Sequence, residues 1–128
     1  MIAGPTGQKN MVFQDSIVDG GTNGHVNAGG GAAQCYFGQT VMKGLLERCW
    51  SSYRFDHNII MNAKPVHQWP TGNWPVGGAS QVGFVNWNNG VGGDYHLAAK
   101  SRFKHKASDE LDPGADVDAV SSATSGAR

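Results

Sequence analysis

Asp15, Asp19, Arg54, Asp56 and His57 are the residues whose types and spacing best suit acid–base chemistry. Asp15 and Asp19 are four apart, so a regular strand through them puts both carboxylates on one face. Arg54 and Asp56 are two apart and share a strand face for the same reason. An arginine beside carboxylates suits a substrate that itself carries a carboxylate, neutralising it while an acid or base moves a proton. His57 follows Asp56 directly. Consecutive strand residues point to opposite faces, so the sequence predicts no Asp56–His57 dyad. A second group suits binding: Trp69, Trp74, Trp87 and Tyr95. Three tryptophans within 19 residues, interleaved with Gly, Pro and Asn, suit a platform on which sugar rings stack. The same rings suit packing beneath an irregular loop, because Trp is heavily buried on average.

Other constellations are excluded by spacing. His25, His57, His67, His96 and His105 form no HxH, HExxH or HxxxH pair, so no metal centre is expected. Asp112, Asp116 and Asp118 do not follow the calcium-loop pattern, and Asp112-Pro-Gly is a turn signal in its own right. Gly29 to Gly31 make neither a GxGxxG nor a P-loop, so no cofactor is expected. Cys35 and Cys49 are too few for a disulfide framework. They are expected as two buried free thiols, with one Cys35–Cys49 bridge as the alternative.

Lys plus Arg number 10 and Asp plus Glu number 10, so formal charge is zero. That balance argues against a nucleic-acid partner, which needs a net basic face. It also removes the repulsion that keeps copies of a chain apart. No apolar run approaches the ~20 residues of a membrane span, so no membrane partner is expected. Met1 to Asn10 has no apolar leader, and compartment does not follow from the sequence. Gly at 19 and Asn at nine favour turns and left-handed positions, which rules out a long-helix bundle and favours a turn-rich β protein.

These residues must be positioned by short elements. Val12, Ile17 and Val18 suit strands in 10–19, and a matching stretch runs from Ser52 to Asn62. Phe13 and Phe55, Ile17 and Ile59, Val18 and Ile60 share an offset of 42 residues, the mark of a repeated unit. Residues 20–34 form a Gly-rich loop. Met42, Leu45, Leu46, Cys49 and Trp50 fall at helical spacing, so one short helix is expected near 39–50, with Thr40 as its N-cap. Residues 63–80 form an irregular excursion. Gln81 to Asn86 and Asp94 to Leu97 are expected as short strands around a turn. Residues 1–128 are expected as a single domain, with 1–9 as a lead-in and 119–128 as a frayed tail.

Six segments in order carry a resemblance: Phe55-Asp-His-Asn-Ile-Ile, Pro70-Thr-Gly-Asn-Trp-Pro75, Val82-Gly-Phe-Val-Asn86, Gly93-Asp-Tyr-His-Leu97, Ser101-Arg-Phe-Lys104 and Asp112-Pro-Gly-Ala-Asp-Val-Asp118. Together they resemble the C-terminal end of bacterial right-handed parallel β-helix repeat proteins, a mostly exported family. The resemblance implies an all-β fold: a short right-handed parallel β-helix, a solenoid segment with rungs and terminal strands over 10–118 and the helix near 39–50. A small α+β domain is the alternative. It also implies a non-catalytic β-helix module that binds a polysaccharide through Trp69, Trp74, Trp87 or Tyr95. The alternative is a carbohydrate-active enzyme of polysaccharide lyase or epimerase type using Asp15, Asp19, Arg54, Asp56 or His57. A short solenoid leaves a strand edge open, so a homodimer is expected through Met11 to Val18 or through the 39–50 helix.

Overall fold

The computed structural model describes residues 9–21, 42–65 and 68–126. The Gly-rich loop, Thr40, His25, His67 and Cys35 lie outside them. Strand β1 (Met11–Gln14) pairs in parallel with β3 (Tyr53–Asp56). Strand β2 (Ile17–Asp19) pairs in parallel with β4 (Ile59–Met61), which pairs on its other side with β5 (Trp74–Pro75). The register matches Phe13 to Phe55 and Ile17 to Ile59, so the 42-residue offset is a physical pairing. Like residues stack: the Phe13 and Phe55 rings lie 5.3 Å apart, nearly coplanar.

Each level bends through one residue in the left-handed region. Asp15 (φ 55°) links β1 to β2, His57 (φ 55°) links β3 to β4, and Gly72 (φ 83°) precedes β5. All three residues of β4 are buried, as expected of a parallel strand covered on both faces. Alternation then feeds two cores. Ile60 packs with Leu45, Leu46, Cys49, Trp50 and Phe55. Ile59 and Met61 face the other way, among Val76, Val82, Leu97 and Phe103.

Helix α1 (Met42–Cys49) lies inside the expected range and turns Leu45, Leu46 and Cys49 into the first core. Leu45, Leu46 and Cys49 of this helix are therefore used within the chain. After Val76 the chain no longer continues the parallel levels. It forms a single turn, α2 (Ala79–Val82), closed by Gly83 in the left-handed conformation (φ 80°). An antiparallel pair follows, β6 (Phe84–Asn86) with β7 (Asp94–Leu97), connected through a 3₁₀ turn at Asn88–Gly90. The chain closes with α3 (Val117–Thr124), capped by the Asp116 carboxylate, which accepts from the Ala119 N–H.

The all-β right-handed β-helix expected from the resemblance is therefore corrected. Seven short strands fall into three separate sheets, one of them antiparallel, and three helices join them among the described residues. The molecule is a small α+β domain, the alternative expectation. The physical reason lies after β5, which is only two residues long. The glycines that follow redirect the chain into α2 and a hairpin instead of another parallel level. Gln81 and Val82, expected in a strand, are in α2 for the same reason. The Ala- and Ser-rich end, expected to fray, is helical from Val117 because Asp116 caps it.

Candidate functional site

The five acid–base candidates separate into three places. Arg54, Asp56 and His57 come together: Arg54 Nε donates to Asp56 Oδ2 at 3.4 Å, and His57 Nδ1 lies 2.9 Å from Asp56 Oδ1. The expectation that Asp56 and His57 point apart is overturned. His57 leaves the strand geometry at φ 55°, and that turn swings its ring back beside its neighbour. Its other contact is Trp74, met edge-on at 5.9 Å. Asp15 is not part of this group. Its two carboxylate oxygens accept from the Ser108 N–H and the Ser108 hydroxyl, both at 2.6 Å. Asp19 accepts from the Gly21 N–H and from Asn62 Nδ2, both at 2.7 Å. These are bonds that fix turns and tie distant segments. Arg54 is 60 % exposed, so this ion pair is a solvated one.

The aromatic candidates also separate. Trp74 packs in the second core, tilted against Phe103 at 5.9 Å. Trp87 stacks on Phe84 at 5.2 Å, and Tyr95 meets both edge-on. The Tyr95 hydroxyl accepts from the Gly93 N–H, so that ring serves the hairpin. These three behave as packing residues. Trp69 differs. One face stacks on Phe55 at 5.9 Å, and its indole Nε1–H is buried with no acceptor. Trp69 lines a groove of about 580 Å³ together with Gln68, Thr71, Asn73, Pro75 and Gln81. Asn73 is fully engaged: its Oδ1 accepts from Asn58, and its Nδ2 donates to the Phe55 and Pro70 carbonyls. Gln81 Oε1 accepts from the Gly77 N–H at 2.6 Å, which holds the amide at the groove edge. A second hollow of about 540 Å³ at Asp19, Gly21 and Asn62 shares Ala63, Lys64 and Gly77 with this groove, so the two adjoin.

A third constellation escaped the sequence reading. His96 on β7 sits between two carboxylates, with Nδ1 2.6 Å from Asp94 Oδ1 and Nε2 3.3 Å from Asp118 Oδ1 on α3. The hydrogen bond to Asp94 raises the His96 imidazole above its ordinary value. In return, the bond to His96 lowers Asp94 below the usual carboxylate range. Asp94 and His96 are two apart on one strand, which is the signal in the sequence. The Asp118 partner, 22 residues away, had none. His96 and Asp118 line a cleft of about 450 Å³ together with Tyr95, His105, Leu111 and Val117.

No group of three His, Cys, Asp or Glu side chains among the described residues is placed to hold a metal ion. No helix among them is long and apolar enough to cross a membrane. Cys49 is disulfide-bonded, which corrects the expectation of a free thiol there. Cys35 is the other cysteine of the sequence. The chain matches no family model, and no curated protein and no solved structure is similar to it at a significant level.

Proposed function

We propose that this domain is a non-catalytic saccharide-binding module whose site is the groove at Trp69. The observation that carries the reading is a groove whose wall includes the Trp69 ring beside Gln68, Thr71 and Gln81, with Lys64 as the charged side chain in its lining. Gln68, Thr71 and Gln81 are uncharged side chains that both donate and accept, which is the chemistry of sugar hydroxyls. An aromatic wall with a few placed polar groups is the usual make-up of a small-molecule site. The enzymatic reading has one supporting observation, the Arg54–Asp56–His57 group. That group borders none of the three cavities described among these residues, and Asp15 and Asp19, which line two of them, are hydrogen-bonded to Ser108 and to Gly21 and Asn62.

A glycan array, followed by titration of tryptophan fluorescence, tests the proposal. Trp69→Phe keeps an aromatic ring against Phe55 and removes the indole N–H together with the second ring. It is expected to weaken binding about tenfold, through the ring area lost from the groove wall. Trp87→Ala is expected to leave affinity unchanged. Equal affinity of Trp69→Phe and the parent, or an array without a single bound glycan, sinks the assignment. Turnover of a uronic-acid polymer, lost in Asp56→Asn, replaces it with the enzymatic reading.

A further inference from the structure

We infer that α3 is a pH-gated flap, clasped over the 450 Å³ cleft by His96 bridging Asp94 of β7 and Asp118 of α3. None of the residues of α3 is buried, so packing does little to hold the helix down. The segment just before it is anchored independently. The Asp15 carboxylate takes both Ser108 donors, and the Gly114 N–H donates to the Asp15 carbonyl at 2.7 Å. Those anchors end at Gly114, and beyond them α3 meets the hairpin through the Asp118–His96 contact. Asp116 and Val117, at the base of α3, line the same cleft as His96 and Asp118. Undocking of α3 therefore opens the cleft on that side.

His96 is the switching group. Its ring nitrogens face a carboxylate each, and a neutral imidazole can donate from only one of them. Only the protonated ring can donate to Asp94 and Asp118 at once, through a solvated contact in which the Asp118 side chain is 90 % exposed. The other titratable side chains lining the cleft are Asp15, Tyr95, His105, Asp109, Asp112 and Asp116, and the carboxylates that raise His96 are Asp94 and Asp118. The raised pKa of His96 fixes the direction. The clasp is complete below the ordinary histidine value and is lost as pH rises through the higher folded value. Asp94, held low, stays ionised throughout that range.

NMR on the full, oxidised chain from about pH 5 to about pH 9 spans both states. The imidazole of His96 is followed together with the Cα shifts and relaxation of residues 117–124. Expected is an α3 as rigid as β7 at the acid end that becomes mobile with the midpoint of the His96 titration. Asp118→Asn should lower that midpoint and leave α3 mobile at every pH. His96→Gln should do the latter too. An α3 that stays rigid to the alkaline end, or one whose motion in Asp118→Asn or His96→Gln still tracks pH as in the parent, overturns the inference.

Discussion

Asn58 shows how a single side chain can hold several strands in register. It is fully buried between the two cores. Its Nδ2 donates to the Phe13 carbonyl and to Asn73 Oδ1, both at 2.9 Å, and its Oδ1 accepts from the Ser16 N–H at 3.1 Å. Three successive levels of chain therefore meet at one amide, at the bends where strand ladders cannot satisfy the backbone. Removing it strands the Ser16 N–H and the Phe13 carbonyl away from water. Asn58→Ala is expected to cost about 2–4 kcal/mol, from several orphaned groups of roughly 1–3 kcal/mol each, less what relaxation recovers. Urea denaturation measures it as a lowered midpoint with an unchanged slope. Asn58→Asp should be no better, because a carboxylate turns acceptors toward the Phe13 carbonyl and Asn73 Oδ1. A midpoint within error of the parent for Asn58→Ala would mean that the amide links are dispensable. The sequence displays Asn58 inside a strand pattern, yet its partners at Phe13 and Asn73 become visible only once the levels stack.

At the scale of elements, the β6–β7 hairpin depends on a glycine for space and not for conformation. A Cβ on Gly93 would lie 2.3 Å from the Asn86 carbonyl oxygen and 2.9 Å from that of Trp87. Both are backbone atoms and cannot rotate away. Gly92, one residue earlier, has open space around it but sits at φ 61°. Gly93→Ala should therefore force the strands apart, at about 1–3 kcal/mol or more, and loosen the Phe84–Trp87–Tyr95 cluster. Gly92→Ala should cost only about 1 kcal/mol, from the left-handed backbone. Thermal melts of the two variants, with near-ultraviolet circular dichroism reporting the aromatic cluster, check the order. A smaller loss for Gly93→Ala than for Gly92→Ala would refute the steric account. Elements were legible where like residues stack or recur. Phe13 over Phe55 and Ile17 over Ile59 disclosed the parallel pairs, and the Leu45, Leu46, Cys49, Trp50 spacing disclosed α1. The left-handed turns at Asp15 and His57 were not read, although aspartate and histidine adopt positive φ more readily than most residues, because both sit inside strand-like patterns. That one omission hid the Asp56–His57 contact. The site at Trp69 was legible only as one of several aromatic candidates. What sets it apart is burial without an acceptor, a property of packing and not of residue type.

For the whole molecule, the closing segment ties the C-terminal third back to the first strands. Ser108 reaches Asp15 across 93 residues of chain, and Asp112 holds the segment's own turn. Lys104 Nζ lies 2.5 Å from Asp112 Oδ2, and the His105 N–H donates to Asp112 Oδ1 at 2.9 Å. Burial raises the Asp112 carboxyl, but the Lys104 ammonium and the His105 N–H outweigh it, so the net displacement is downward. A carboxylate held low in the folded state contributes stability above its ordinary value of about 4 and loses it as pH falls through the lower folded value. Asp94 titrates in the same direction, with His96 as its partner. The acid limb of the stability profile should thus carry the signature of these two groups. Asp112→Asn is expected to lower stability at neutral pH by roughly 0.5–1 kcal/mol, the range of a partly exposed ion pair. The deficit should shrink below about pH 4, where the parent's own carboxylate becomes protonated. Urea midpoints measured at intervals between about pH 7 and about pH 2.5 provide the comparison, spanning the ordinary carboxylate value. Two curves that fall in parallel across that span would show that the Lys104–Asp112 pair does not couple protonation to folding. Curves that converge at the acid end would make Asp112 one of the groups through which acid undoes the closing segment.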